Sequence, residues 1–274
     1  MSRREYKGVP DWAIALLCCP VCTASALCRT DIGLICEACG HRPLIKDGVL
    51  DMTASALVVS AADRAYEGLL GHGYARFMDS LWLQRLDSWL LGMDVKRYHE
   101  EILARLARLP PGPSLEIPVG SGPFLEYAPT YQSGGPWIFA DLSWTMLRRL
   151  RRKCEAMGLH GVVLIRANAC RLPLCDGKLR NIVSLFGLHS FHDKAAVFSE
   201  MRRCLASDGR VVASTLTSDG PPLSRFYLRL HQYDGTFAAD NSLHELNSHA
   251  QQQLLWLDIS QRLGAAVLFE AHHA

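Results

Sequence analysis

Four cysteines set the strongest constraint on this chain. Cys19 and Cys22 form one Cys-x-x-Cys pair, Cys36 and Cys39 form a second, and 13 residues separate the two pairs. A Cys-x-x-Cys turn aims two thiolates at one point. Two such turns at the ends of a short hairpin make the tetrahedral sulfur site that zinc prefers. Pro20 within the first pair and Gly40 after the second are turn residues suited to these knuckles. Four protein ligands leave no open position for water, so a zinc ion here is expected to be structural. A segment of about 35 residues buries little apolar surface, and metal binding offsets that shortfall. Cys18, Cys28 and His41 lie near enough to compete as ligands, Cys18 above all because it neighbours Cys19. Packing of the cysteines as small hydrophobes is the alternative, and the paired spacing argues against it.

The compartment follows from the same residues. The apolar run Ala13 to Leu17 is too short for a signal-peptide core, and the ten cysteines of the chain then point to a reducing, cytoplasmic setting. No apolar stretch approaches the roughly 20 residues of a membrane span, so no membrane partner is expected. Lys and Arg number 29 against 27 Asp and Glu, a net charge of +2. An obligate nucleic-acid binder usually carries a larger positive excess. Three regions are expected: residues 1–53 as a zinc ribbon, 54–110 as a helical linker or lid, and 111–274 as the main domain.

The linker reads as helix. Leu81, Leu83, Leu86, Leu90 and Leu91 mark one apolar face, and Ile102, Leu103, Leu106 and Leu109 mark another at helical spacing. Pro110, Pro111 and Pro113, with Gly112 among them, then stop the helix. Three glycines and several aromatic residues between Tyr66 and Phe77 suggest a hinged lid or a loose helix corner.

Beyond the proline stop, strands alternate with helices. Strands are expected at Ser114–Val119, Trp137–Asp141, Gly161–Ile165, Asn181–Phe186 and Arg210–Leu216, the last opened by a turn at Ser207–Gly209. Helices are expected at Ser143 to about Met157 and at Lys194–Leu205. Two short strands, Leu254–Ile259 and Ala265–Glu270, close the chain. This order implies an α/β fold with a mostly parallel sheet, helices on both faces and ligands at the carboxyl edge. Gly120 and Gly122 remove side chains where the first strand turns, so that backbone can approach a ligand. Asp141, ending the second strand, can accept both hydroxyls of a ribose. Glu116 is an acid inside an apolar strand, serving the loop geometry or a ligand amine. A dinucleotide is disfavoured, because the third glycine of its fingerprint is replaced by Leu125.

The run Leu115-Glu-Ile-Pro-Val-Gly-Ser-Gly122 resembles the first motif of the class I methyltransferases, and Ala140-Asp-Leu-Ser-Trp-Thr-Met-Leu147 resembles the second. Ala167-Asn-Ala-Cys-Arg-Leu-Pro-Leu174, Leu185–Asp193 and Glu200–Gly209 are similar to the stretches that follow. The likeness is greatest to the ubiquinone/menaquinone branch. It implies a Rossmann-like sheet that binds S-adenosylmethionine through Glu116, Pro118, Gly120, Gly122, Asp141, Leu142, Asn168, Ala169 and Phe186. Three departures stand out. Pro118 replaces a glycine, and Asn168 replaces the acid that meets the adenine amino group, a role its amide oxygen can fill. Asn181 replaces an acid at the fourth strand. The residues from Leu16 to Met52 resemble the zinc ribbon that precedes the catalytic domain of rRNA guanine methyltransferases. In relatives an aromatic residue of the pre-domain segment closes over the cofactor, which singles out Tyr74.

No catalytic group is fixed by the sequence. His189 and His192 follow the fourth strand, where relatives place substrate-facing residues, and either could be a general base or a loop hydrogen-bonder. The absence of an Asn-Pro-Pro-Tyr motif there disfavours amino-group methylation. Arg148-Arg149-Leu150-Arg151-Arg152-Lys153 allows an RNA reading, although Leu142, Met146, Leu150 and Met157 form the inward stripe and leave the basic residues on a solvated face. The leading expectation is methyl transfer to a small molecule. A cyclase of the azetidine-2-carboxylate synthase kind, which releases methylthioadenosine, an rRNA base methyltransferase, and a non-catalytic binding protein are the alternatives.

Overall fold

The computed structural model describes residues 9–54, 80–125, 131, 135–159, 161–233, 235–239 and 241–274. The lid expected between Tyr66 and Phe77, with Tyr74, lies outside the described residues. A short helix α1 (Asp11–Ile14) leads into the hairpin β1 (Leu27–Thr30) and β2 (Gly33–Cys36), paired antiparallel with Leu27 opposite Cys36. A second hairpin follows, β3 (Ile45–Lys46) and β4 (Val49–Asp51), turning through Asp47 and Gly48, both at positive φ. Two helices of the linker are described. α2 (Leu81–Leu90) is capped by Ser80, and α3 (Val95–Leu106) by Asp94, each side chain accepting a backbone N–H of the first turn.

The main domain contributes β5 (Ser114–Glu116), β6 (Trp137–Asp141), α4 (Trp144–Ala156), β7 (Val162–Arg166), β8 (Leu179–Leu185), α5 (Lys194–Cys204), β9 (Leu205–Leu216), α6 (Pro222–Tyr233), α7 (Leu243–Gln252), β10 (Leu255–Leu263) and β11 (Ala266–His273). The nine-stranded sheet runs β10-β11-β9-β8-β5-β6-β7-β4-β3. Its strands from β9 to β4 are mutually parallel, and antiparallel hairpins finish both edges. This is the mostly parallel α/β sheet that the alternation of elements foretold, in the Rossmann-like form that the resemblance implied. Its unexpected part is the far edge: β4, which closes the ribbon segment, pairs parallel with β7, Leu50 opposite Ile165 and Asp51 opposite Arg166.

Why these residues form this sheet is clearest in β6, where Trp-Ile-Phe-Ala-Asp is buried throughout, as a central parallel strand requires. Successive side chains take opposite faces. Ile138 and Ala140 pack with Leu115, Ile165, Ile182, Phe198 and Met201 beneath α5. Trp137 and Phe139 pack with Leu147, Leu150, Ile102 and Leu106 beneath α3 and α4. The first cluster continues into the ribbon through Leu16, Leu17, Leu27 and Leu34, so the ribbon shares the sheet's core.

Two expectations shift, and a stretch with no assigned element gains one. The regular first strand stops at Glu116 rather than Val119, because Pro118 has no N–H for the ladder, although the Ile117 N–H still donates to Val183 and the Val119 N–H to Ala140. The turn expected at Ser207–Gly209 is absorbed into β9 as an irregularity: Leu205 faces Leu179, and Arg210 already faces Asn181. The stretch after the fifth strand folds as the helix α6.

Candidate functional site

In the ribbon, the sulfur atoms of Cys19, Cys22, Cys36 and Cys39 all lie within 4.8 Å of one another. Cys19 and Cys39 are 3.6 Å apart, as are Cys22 and Cys36. Four thiolates held at 2.3 Å from one ion stand about 3.8 Å apart along each tetrahedral edge, so the quartet is nearly at ligand spacing. Cys28 and His41 stay outside this group. Cys18 turns the other way: its sulfur lies 2.7 Å from that of Cys175, while its N–H donates to the Pro173 carbonyl and Leu16 accepts from Cys175. Cys18 is thus a core contact between ribbon and sheet.

The second site forms at the carboxyl edge, where β5 and β6 end side by side. Gly120 and Gly122 both adopt positive φ. A Cβ on Gly122 would press to 2.6 Å from Leu150, whereas one on Gly120 would meet nothing within 4 Å among the described residues. Packing therefore demands the second glycine. Lys153, reaching back from α4, donates to the Gly122 carbonyl at 2.7 Å and pins the bend to the helix. Asp141 ends β6 with one oxygen accepting the Gly120 N–H at 2.8 Å and the other the Ser143 N–H at 2.8 Å. A carboxylate accepts at both oxygens, the chemistry that hydroxyl groups of a ligand require. Burial pushes the Glu116 carboxyl up to about 8, and Tyr131, close by without full hydrogen-bond geometry, acts in the opposite direction.

The remaining expected residues are distributed around these two. Leu142 is half-buried and its carbonyl accepts from Arg166 at 2.9 Å. Asn168 turns its side-chain oxygen onto the Cys170 N–H at 2.9 Å, capping its own loop, with Ala169 buried beside it. Pro118 packs against Gly187, where a Cβ would collide with the proline ring. Phe186 sits at positive φ directly after β8, its N–H donating to the Ser214 carbonyl.

From Phe186 a run of rings extends along the edge, and it includes residues the sequence reading missed. Phe186 stacks on Tyr98 at 4.6 Å between centroids, and the Tyr98 hydroxyl lies 2.7 Å from Ser214 Oγ. Phe124 and His99 continue the run on one side. On the other, His189 meets Phe237 edge-on at 4.4 Å, Phe237 meets His231, and His231 meets Tyr227. Tyr98 and Phe237 come from α3 and from the loop after α6, regions whose pattern showed helix or connection but gave no sign of where their rings would point. His189 is buried, and that burial, with Lys194 and His231 nearby, pulls its imidazole down to about 3. At neutral pH it is an uncharged member of the wall and a poor base. His192 is exposed on the adjoining loop.

Much of the basic run is engaged. Arg148 pairs with Asp47 of the β3–β4 turn at 3.2 Å, Arg151 pairs with Glu155 along the helix at 2.9 Å, and Lys153 holds the glycine bend, while Arg152 is exposed. Arg148 thus ties the ribbon to α4, and most of the run serves the fold, which gives the RNA reading no support. A solvent-open depression of about 700 Å³, lined by Asp176, Arg202, Arg203 and Gln252 among others, lies at the opposite, amino edge of the sheet. It belongs to a different part of the molecule from Gly120 and Asp141.

A parallel sheet with a glycine bend and a carboxylate at the tips of two adjacent central strands defines a Rossmann-like α/β domain. Comparison with known proteins makes the class specific: residues 115–209 match the family described as Methyltransferase domain. This segment is a class I, S-adenosylmethionine-type methyltransferase domain. The chain is 36% identical over 86 residues to demethylmenaquinone methyltransferase from Geobacillus stearothermophilus, covering 31% of this chain and 36% of that one. It is 30% identical over 123 residues to the ubiquinone/menaquinone biosynthesis C-methyltransferase of Acidiphilium cryptum, covering 44% and 49%. The chain thus spans half or less of these curated relatives. Among solved structures, magnesium protoporphyrin IX methyltransferase from Synechocystis PCC 6803, with bound SAH, superposes with a TM-score of 0.58 at 16% identity over 77% of this chain and 98% of that one. That likeness shows the fold.

Proposed function

We propose that this chain transfers the methyl group of S-adenosylmethionine to a small, largely apolar acceptor, and that its ribbon, residues 1–53, carries a structural zinc ion on Cys19, Cys22, Cys36 and Cys39. The observation that carries the first part is the hydrogen bond from the Gly120 N–H to Asp141, which sets a carboxylate at the tip of β6 directly against the glycine bend. On this reading Asp141 receives the ribose hydroxyls, and the bend from Pro118 to Gly122 receives the methionine tail. Leu142, Asn168 and Ala169 flank the adenine. Glu116, ionised by a neighbouring ammonium, steadies the tail, and Phe186 borders the sulfur.

The bound cofactor supplies a methyl group already activated on a sulfonium. The protein's part is alignment and exclusion of water, which suits an in-line displacement. Tyr98, Phe124, Phe186, His189 and Phe237 present ring faces and edges, and aromatic faces favour a cationic centre. With His189 held neutral and weakly basic, the acceptor brings its own electron-rich atom. The demethylmenaquinone methyltransferase among the similar proteins acts, by its name, on a compound of this kind, and the geranyl diphosphate methyltransferase on an apolar chain that carries a diphosphate.

Titration calorimetry of the zinc-loaded protein with S-adenosylmethionine tests the reading. The wild type is expected to release heat, and Asp141→Ala to weaken affinity by about a hundredfold, as loss of hydrogen bonds to a charged group implies. Unchanged uptake by Asp141→Ala would overturn it. The adenosyl by-product then separates the chemistries: adenosylhomocysteine follows methyl transfer, and methylthioadenosine follows cyclisation.

A further inference from the structure

Among the described residues, thirteen large hydrophobic side chains are exposed, and seven of them sit on just two helices. On α2 they are Trp82, Leu86 and Trp89, spaced i, i+4, i+7. On α6 they are Leu223, Phe226, Leu230 and Tyr233, which fall within an arc of about 80° at 100° per residue. Exposures reach 69% for Trp82, 67% for Trp89 and 62% for Phe226, so these rings stand in solvent. Scattered exposed hydrophobes need no explanation, but stripes on neighbouring helices mark an interaction surface. The two helices are joined by a hydrogen bond of 2.6 Å from the Tyr227 hydroxyl to Asp87.

Charge identifies the occupant. Arg85 on α2 and Arg225 and Arg229 on α6 are exposed, and none has an ion-pair partner among the described residues. At helical spacing the two α6 arginines follow directly on the apolar arc, opposite Tyr227. The α6 segment contains no acid, and the acid of α2, Asp87, is engaged by Tyr227. Asp219, just before α6, accepts the Leu243 N–H. An apolar stripe bordered by cations is the composition of helices that lie in the plane of an anionic membrane. A second copy of the chain fits less well, because a two-fold contact would bring the same arginines together with no acid from either helix to pair them.

We propose that the outer faces of α2 and α6 seat this protein on an anionic lipid surface. This refines the sequence expectation of no membrane partner: no described helix is long and apolar enough to cross a bilayer, and surface seating requires none. Placement gives the seating a purpose. The inner side of α6, through Tyr227 and His231, joins the ring run that leads by Phe237 to His189 and Phe186. One helix thus divides the acceptor wall from the lipid-facing stripe. An apolar acceptor dissolved in the bilayer could reach the wall past its end without crossing water. That last step rests on the proposed methyl transfer; the docking does not.

Flotation with vesicles tests it, using the full-length, zinc-loaded protein, phosphatidylcholine vesicles, and vesicles of equal parts phosphatidylcholine and phosphatidylglycerol. The wild type is expected to partition roughly tenfold more strongly to the anionic vesicles and to lose that preference in about 0.5 M salt. The pair Phe226→Ser with Leu230→Ser should remove binding to both. Arg225→Gln with Arg229→Gln should remove the anionic preference while leaving the apolar stripe, and it decides the matter should the serine pair fail to fold. Calorimetry with S-adenosylmethionine and metal content, unchanged in folded variants, read the cofactor site separately. Failure of the wild type to float with either vesicle overturns the proposal. So does a concentration-dependent dimer that the serine pair dissolves, which would make a second copy the occupant.

Discussion

The ribbon and the sheet hold their shape by different means, and they meet at a shared edge. Around Cys19 and Cys36 the chain has a two-stranded hairpin with Ile32 out in solvent, and four sulfur atoms brought to one point. Around β6, five consecutive buried residues lie between two layers of apolar side chains. The first region depends on ligand chemistry and the second on excluded water. β4 belongs to both, following the ribbon in sequence and pairing with β7 in space. The lesson is that a cysteine-centred module need not be a separate bead. Here its exit strand is a structural member of the cofactor-binding sheet.

Removing a ligand puts that lesson to the strongest test. Structural zinc sites contribute apparent binding energies of about 10–16 kcal/mol. Cys36→Ser is expected to abolish metal binding, measured by elemental mass spectrometry, and to lower the melting temperature of the whole chain in a single transition. A sheet that melts at an unchanged temperature would show the two regions to be independent. Next in size is the sheet's own core. Phe139 is fully buried, and Phe139→Ala is expected to cost about 3–5 kcal/mol in urea unfolding while leaving the native protein's zinc content unaltered.

A smaller effect tests the polar part of the buried sheet. Burial raises Glu116 in the folded state to about 8. Protonation is therefore easier folded than unfolded, so the group's contribution to stability is complete below the ordinary glutamate range and is lost as pH rises through about 8. Stability of the cofactor-free protein should decline from about pH 4.5 to pH 8. Glu116→Gln should flatten that decline in melts across the range. The smallest change concerns one helix end. Ser143 Oγ accepts the Met146 N–H at 3.3 Å, and Ser143→Ala is expected to cost about 1 kcal/mol, with metal content as its internal control.

Much of this arrangement is legible in the sequence because its signals are local. The Cys-x-x-Cys pairs name their own partners, Ser143 caps the helix where the pattern begins, and Asp141 ends an unbroken apolar strand. What the sequence conceals is long-range. Nothing within Val49-Leu-Asp51 announces a parallel partner 115 residues away, because three-residue strands carry too little periodicity to read. α6 escapes notice for the opposite reason: apolar residues on its outer side leave no clean division between core face and solvent face. The ring wall is hidden because its members come from α3 and from the loops after β5, β8 and α6, which only the folded chain brings together. Asn168 shows a further limit, since the residue type suits an adenine contact while its oxygen caps the loop.

One side chain carries the meeting of ribbon and sheet into the cofactor edge. Arg166, under the ring of Trp144, reaches Asp51 at 3.4 Å with one nitrogen and donates to the Leu142 carbonyl with another. It works as a tie-rod, anchored at one end in the strand that leaves the zinc module and at the other in the turn beside Asp141. On the proposed zinc and cofactor roles, slackening the hairpin would loosen that turn and link metal supply to cofactor grip across a single guanidinium.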